Sequence, residues 1–98
     1  MDVYKAHFIH PYTHVPLIVY FNESEGYVTF EKDQEVLQLL LQLDEDLAHD
    51  QSFLSNVNQV SNLCKTQYPV SSFKDVFEFL EHIGIGEEDL NFKQLFLH

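Results

Sequence analysis

The chain changes its hydrophobic period inside Tyr27-Val28-Thr29-Phe30-Glu31-Lys32-Asp33-Gln34-Glu35-Val36-Leu37-Gln38-Leu39-Leu40-Leu41-Gln42-Leu43. Up to Lys32, Val28 and Phe30 alternate with polar neighbours, the period-two pattern of a half-buried strand. Beyond it the period is 3.6. Val36, Leu39, Leu40, Leu43 and Leu47 form one helical stripe, widened by Leu37, Leu41 and Ala48. Asp33 stands where a cap is needed for a helix beginning at Gln34. The apolar arc is too broad for a helix packed on one side only. Burial on two sides is therefore expected, by the sheet and by another helix or a second subunit. Asp44 would fall inside that arc on a continuous helix. The helix is accordingly expected to end near Leu43, with Asp44 at its frayed end or serving as a new cap. The competing reading, a buried functional carboxylate, is disfavoured because buried acids are rare unless paired.

Upstream, residues 3–10 and 16–22 are rich in β-branched and aromatic side chains, with Pro11-Tyr12-Thr13-His14 as the turn between them. A second turn, Asn22 to Gly26, leads into residues 27–32, which completes an antiparallel meander. Tyr4, Ala6 and Phe8 share one face of the first strand. Downstream, Phe53, Val57, Val60 and Cys64 predict a helix over 53–65 with Ser52 as its cap. Ser72-Phe73-Lys74-Asp75 opens a third helix whose inner face is Phe73, Val76, Phe77, Leu80 and Ile83, closed by Gly84. In the tail, Phe92 and Phe96 share one side of an extended segment while Lys93, Leu95 and Leu97 share the other, which favours a short final strand at the sheet edge. The expectation is a single α+β domain over residues 1–98. It comprises an N-terminal three-stranded meander, about three helices and a short C-terminal edge strand.

Charge is the extreme quantity. Sixteen acids face five lysines, there is no arginine, and the net charge is −11. Arginine is the usual bidentate partner of phosphate, and nucleic-acid affinity comes from neutralising phosphates. Direct nucleic-acid binding is disfavoured, and so is an anionic membrane surface. No basic segment followed by an apolar run marks a signal peptide, and no stretch reaches the roughly 20 apolar residues of a membrane span. The lone Cys64 suits a reducing compartment. The expected location is cytoplasmic.

The motifs that usually carry chemistry are weak. His7, His10 and His14 have metal-like spacing, but His7 and His10 are an odd number of residues apart and face opposite sides of a strand. Two imidazoles fall short of the three or four ligands of a zinc site. Cys64 lies on an apolar stripe and reads as core packing. Gly84-Ile85-Gly86 lacks the third glycine of a phosphate loop and is followed by Glu87, Glu88 and Asp89, which would repel phosphate. It reads as a helix stop and a turn. Asp44-x-Asp46 lacks the glycine and distal glutamate of a calcium loop. No cofactor, metal or catalytic activity is expected.

What remains is the acidity. Between positions 33 and 50 there are six acids and no lysine, and six more without a lysine lie between 75 and 89. The bland reading is a solubilising surface. The functional reading takes Glu35, Glu45, Asp46, Asp50, Glu78, Glu81, Glu87, Glu88 and Asp89 as the face offered to a basic protein. Carboxylates spaced along a helix would stand in for phosphates and inhibit a nucleic-acid-handling protein by occluding its groove. The alternative is an oligomeric structural or accessory subunit, a homodimer for example, suggested by the over-wide arc and the apolar tail.

Overall fold

A computed structural model describes residues 3–95, the side chain of Asp89 excepted. The meander forms where the period-two pattern places it: β1 (Val3–Ile9), β2 (Pro16–Asn22) and β3 (Tyr27–Lys32). It is antiparallel throughout, with Val19 opposite both Ala6 and Phe30 and Phe21 opposite both Tyr4 and Val28. This register puts Ala6, Phe8, Leu17, Val19, Phe21, Val28 and Phe30 on one face, where all are buried. The other face carries Lys5, His7, Ile18, Tyr20, Thr29 and Glu31, all half-buried or exposed. A sheet with one wet face needs a single covering layer, and the helices supply it.

That layer consists of α1 (Gln34–Leu43), the single turn α2 (Glu45–Ala48), α3 (Gln51–Cys64) and α4 (Phe73–His82). Two short edge strands complete a five-stranded sheet in the order β4-β3-β2-β1-β5, with β4 at Tyr68–Pro69 and β5 at Lys93–Leu95. The final strand thus lies at the edge, beside β1; Phe96 and Leu97 of the expected strand lie outside the described residues. The edge strand β4 has no periodic signal of its own. It is docked by the turn before β3, where Gly26 (φ +76°) accepts a 3.0 Å hydrogen bond from the Val70 N–H.

Helix α4 crosses the sheet and is held by aromatic rings. Phe73 meets Tyr4 at 4.8 Å, Phe21 at 5.0 Å and Phe92 at 5.6 Å between centroids. One helical span later Phe79 meets Tyr68 at 4.8 Å and Phe30 at 6.3 Å. The three Phe73 pairs are edge-to-face, a geometry that adds about 0.5–1.5 kcal/mol each beyond burial. Val76 and Leu80 are fully buried between these anchors. Gly84 (φ +88°) ends the helix, and Ile85 turns back into the core with its N–H bonded to the Leu80 carbonyl at 2.9 Å.

Two expectations need correction. Helix α3 begins at Gln51 rather than 53, and its cap is Asp50, whose carboxylate accepts the Phe53 N–H at 3.2 Å; Ser52 lies inside the first turn. The second concerns α1. Only Leu37 is buried, with Leu41 packed against the core beside it. Leu39 is 54% exposed and Leu43 83% exposed. Because the described helices share one face of the sheet, α1 is covered on one side, and the stripe centred on Leu39 and Leu43 points away.

Candidate functional site

The first acidic run resolves into helix starts. Asp33, Asp44 and Asp50 each precede a helix, and each carboxylate accepts the N–H three residues on: Val36 at 3.4 Å, Leu47 at 3.1 Å and Phe53 at 3.2 Å. The remaining acids of the run, Glu35, Glu45 and Asp46, sit in first helical turns, where the unpaired N–H groups favour negative charge. Asp44 is therefore the new cap that its position suggests, and it is exposed. Asp50, counted among the partner-facing residues, has a local structural task.

Asp33 has a second partner. Its carboxylate accepts a 2.8 Å hydrogen bond from the His7 ring, tying the start of α1 to β1. Asp33 is 6% exposed, so its lone pairs need these donors. His10 is occupied too: its Nδ1 accepts the N–H groups of Tyr12 (3.2 Å) and Thr13 (3.3 Å) and closes the first turn. Burial, and then the neighbouring His14, hold its pKa below the ordinary 6.5. Among the described residues no three His, Cys, Asp or Glu side chains converge as a metal site.

Cys64 is half-buried and packs against the core. Burial raises its thiol pKa, with Lys32 opposing that shift, the direction that disfavours the thiolate. Asp75 is drawn the other way. The Ser71 hydroxyl and backbone N–H both donate to its carboxylate and lower its pKa. The carboxylate of the Ser-x-x-acid pattern thus bonds Ser71, while the Ser72 hydroxyl caps α4 through the Asp75 N–H at 3.3 Å.

In the second acidic run several of the candidate acids meet in a concave setting. Glu78, Glu81 and Glu87 line a depression of about 340 Å³ with Lys74 and Phe77. Glu78 and Glu81 also line an adjoining one with His82. A larger open hollow of about 510 Å³ lies beside β4, bounded by Asp75, Glu78, Phe79 and His82 among others. Glu78 thus lines all three hollows, with Lys74 no closer than 4.0 Å and both side chains largely exposed. Such a pair neutralises little. Glu88 is exposed and packs over Gly86; the side chain of Asp89 lies outside the described part. Glu35 lies in the first turn of α1, whereas Glu45 and Asp46 open the separate turn α2 beyond the break at Asp44.

A basic corner has no counterpart in the sequence reading. Lys5 and Lys93 are directly opposite across β1 and β5, beside His7 and Asn91. Nothing local announces it, because the pairing joins residues 88 positions apart.

Comparison with protein-family models, with curated proteins and with solved structures finds no match to this chain.

Proposed function

We propose that this protein is a small acidic interaction module that binds, and thereby inhibits, a basic protein such as a nucleic-acid-handling factor. The observation that carries the reading is the meeting of Glu78, Glu81 and Glu87 in one depression on the outward side of α4, with Lys74 as the single cation at its rim. Carboxylates one helical turn apart on α4, joined by Glu87 from the turn that follows, offer a basic groove a cluster of charge like that of a phosphate backbone. Helix α4 is also anchored by aromatic contacts from one side of the sheet to the other, so the charged surface is presented on a rigid element. Exposed Glu35, Glu45 and Asp46 add charge from a stretch without a lysine between positions 33 and 64, and exposed Glu88 follows Glu87.

Association driven by such a field is salt-dependent, because the screening length falls from about 10 Å at 0.1 M to about 3 Å at 1 M. The test is recovery of partners from a lysate of the source cells on immobilised protein at both salt levels. A companion column carries the E78K/E81K/E87K variant. Partners should be basic, should elute as salt rises, and should be lost from the variant. Retention that ignores both salt and charge reversal would refute the reading.

A second reading, a homodimeric accessory subunit, is favoured by exposed Leu39 and Leu43. Light scattering at micromolar concentration separates the two.

A further inference from the structure

Helix α1 is apolar over an arc of about 200°, taking 100° per residue, and the fold covers half of it. Leu37 and Leu41 enter the core, Val36 and Leu40 are half-buried, and Leu39 and Leu43 stand in solvent at 54% and 83% exposure. Glu35, Leu39 and Leu43 are spaced i, i+4, i+8, so they form one row along the helix with a carboxylate at its start. Asp44, Glu45 and Asp46 follow at its other end, all exposed. From Asp33 to Cys64 there are six acids and neither lysine nor arginine.

We infer that this row is a docking ridge for a basic amphipathic helix of a protein partner, whose apolar stripe covers Leu39 and Leu43 while its lysines and arginines reach the carboxylates at the two ends. The inference rests on the acidic-module reading and adds a second element of recognition to it. Charge decides the occupant. A second copy would set the exposed Glu35, Asp44, Glu45 and Asp46 against the same four, within a chain of net charge −11. The exposed apolar surface of α1 is a small part of the roughly 800 Å² each partner gives to a standard interface. Leucine burial alone would not overcome that repulsion. A lipid surface is opposed by the same acids, since interfacial helices carry basic flanks. A basic helix turns the rim from a cost into an attraction, and helix-on-helix contact through residues spaced i, i+4 is an established recognition mode.

The test uses the full chain, isotope-labelled for amide NMR, with two synthetic probes: an amphipathic helix built from leucine and lysine, and the same composition in scrambled order. The amphipathic probe should shift amides over residues 35–46 and bind about tenfold or more tightly than the scrambled one. L39Q/L43Q should abolish that preference while leaving the circular dichroism spectrum unchanged. E35Q/E45Q/D46N, which leaves the apolar row intact, should weaken binding at low salt only. Equal binding of both probes, or shifts confined to residues 74–88, would overturn the ridge while leaving the acidic reading in place. No binding of either probe would overturn both. A dimer of the wild type that dissociates on L39Q/L43Q substitution would overturn it in favour of a second copy.

Discussion

The His7 ring donates a 2.8 Å hydrogen bond to the Asp33 carboxylate, joining the middle of β1 to the first residue of the helical half of the chain. Asp33 simultaneously caps α1 through the Val36 N–H, and is buried in doing so. One side chain therefore fixes both the start of α1 and its lateral position against the sheet. Asp33→Ala should cost about 0.5–2 kcal/mol in urea unfolding, the range for loss of an N-cap. His7→Ala should cost less, because the ring is half in water. In a double-mutant cycle the two should be non-additive, since they share the contact. Strict additivity would show that the hydrogen bond contributes nothing.

Capping and partner binding can be separated at Asp50. Asp50→Asn removes the charge but keeps an acceptor for the Phe53 N–H, so thermal stability should hold within a few tenths of a kcal/mol. Asp50→Ala should lose about 1 kcal/mol. If both lose the same amount, charge rather than capping is what Asp50 supplies.

Leucines six positions apart on α1 should respond very differently. Leu37→Ala, at a buried site, should destabilise by roughly 2–5 kcal/mol. Leu43→Gln, on a side chain 83% exposed, should stay within about 0.5 kcal/mol. Comparable losses at the two positions would contradict the orientation of the helix.

The first turn should be sensitive to mild acid. Burial and His14 lower the His10 pKa, so the native state binds fewer protons than the unfolded chain between the folded value and 6.5. Stability then rises with pH across that window and is lost as pH falls through 6.5. Protonation also removes the acceptor used by Tyr12 and Thr13. His10→Asn retains an acceptor and does not titrate. The melting temperature of the wild type minus that of the variant should fall as pH is lowered from about 7.5 to about 5.5, near the reference value for histidine; a flat difference would disprove the dependence.

Lys5 and Lys93 face each other across two strands, an arrangement that is destabilising. Lys93→Glu should stabilise the protein by about 0.2–1 kcal/mol in low salt, with the gain disappearing as salt is added. A loss would show that the lysine serves packing rather than charge.

Much of the architecture is local and so was legible in the chain itself. The β-branched and aromatic content of 16–22 and the alternation over 27–32 set strand positions, and Asp33, Asp44 and Ser72 mark helix starts, because caps and periods depend on neighbours only a few residues away. The acids were legible as charge but not as structure. That Asp33, Asp44 and Asp50 bond backbone N–H groups depends on where each helix begins, and the Ser at 52 competed with Asp50 for that role. The gathering of Glu78, Glu81 and Glu87 depends on the chain folding back after Gly84, which spacing does not reveal.

The amphipathic pattern of α1 marks the division most clearly. Its sequence determined that the segment is a helix and that its apolar arc exceeds what one contact surface can cover. It did not determine which part of the arc goes inside, because six apolar residues spread over more than half a turn offer several nearly equivalent orientations. The tertiary structure decided it. With the helices on one face of the sheet, and the cap at Asp33 held by His7, the helix can roll only far enough to bury Leu37 and Leu41. Leu39 and Leu43 are left outside, and the apolar surface the fold does not use stands beside its acids.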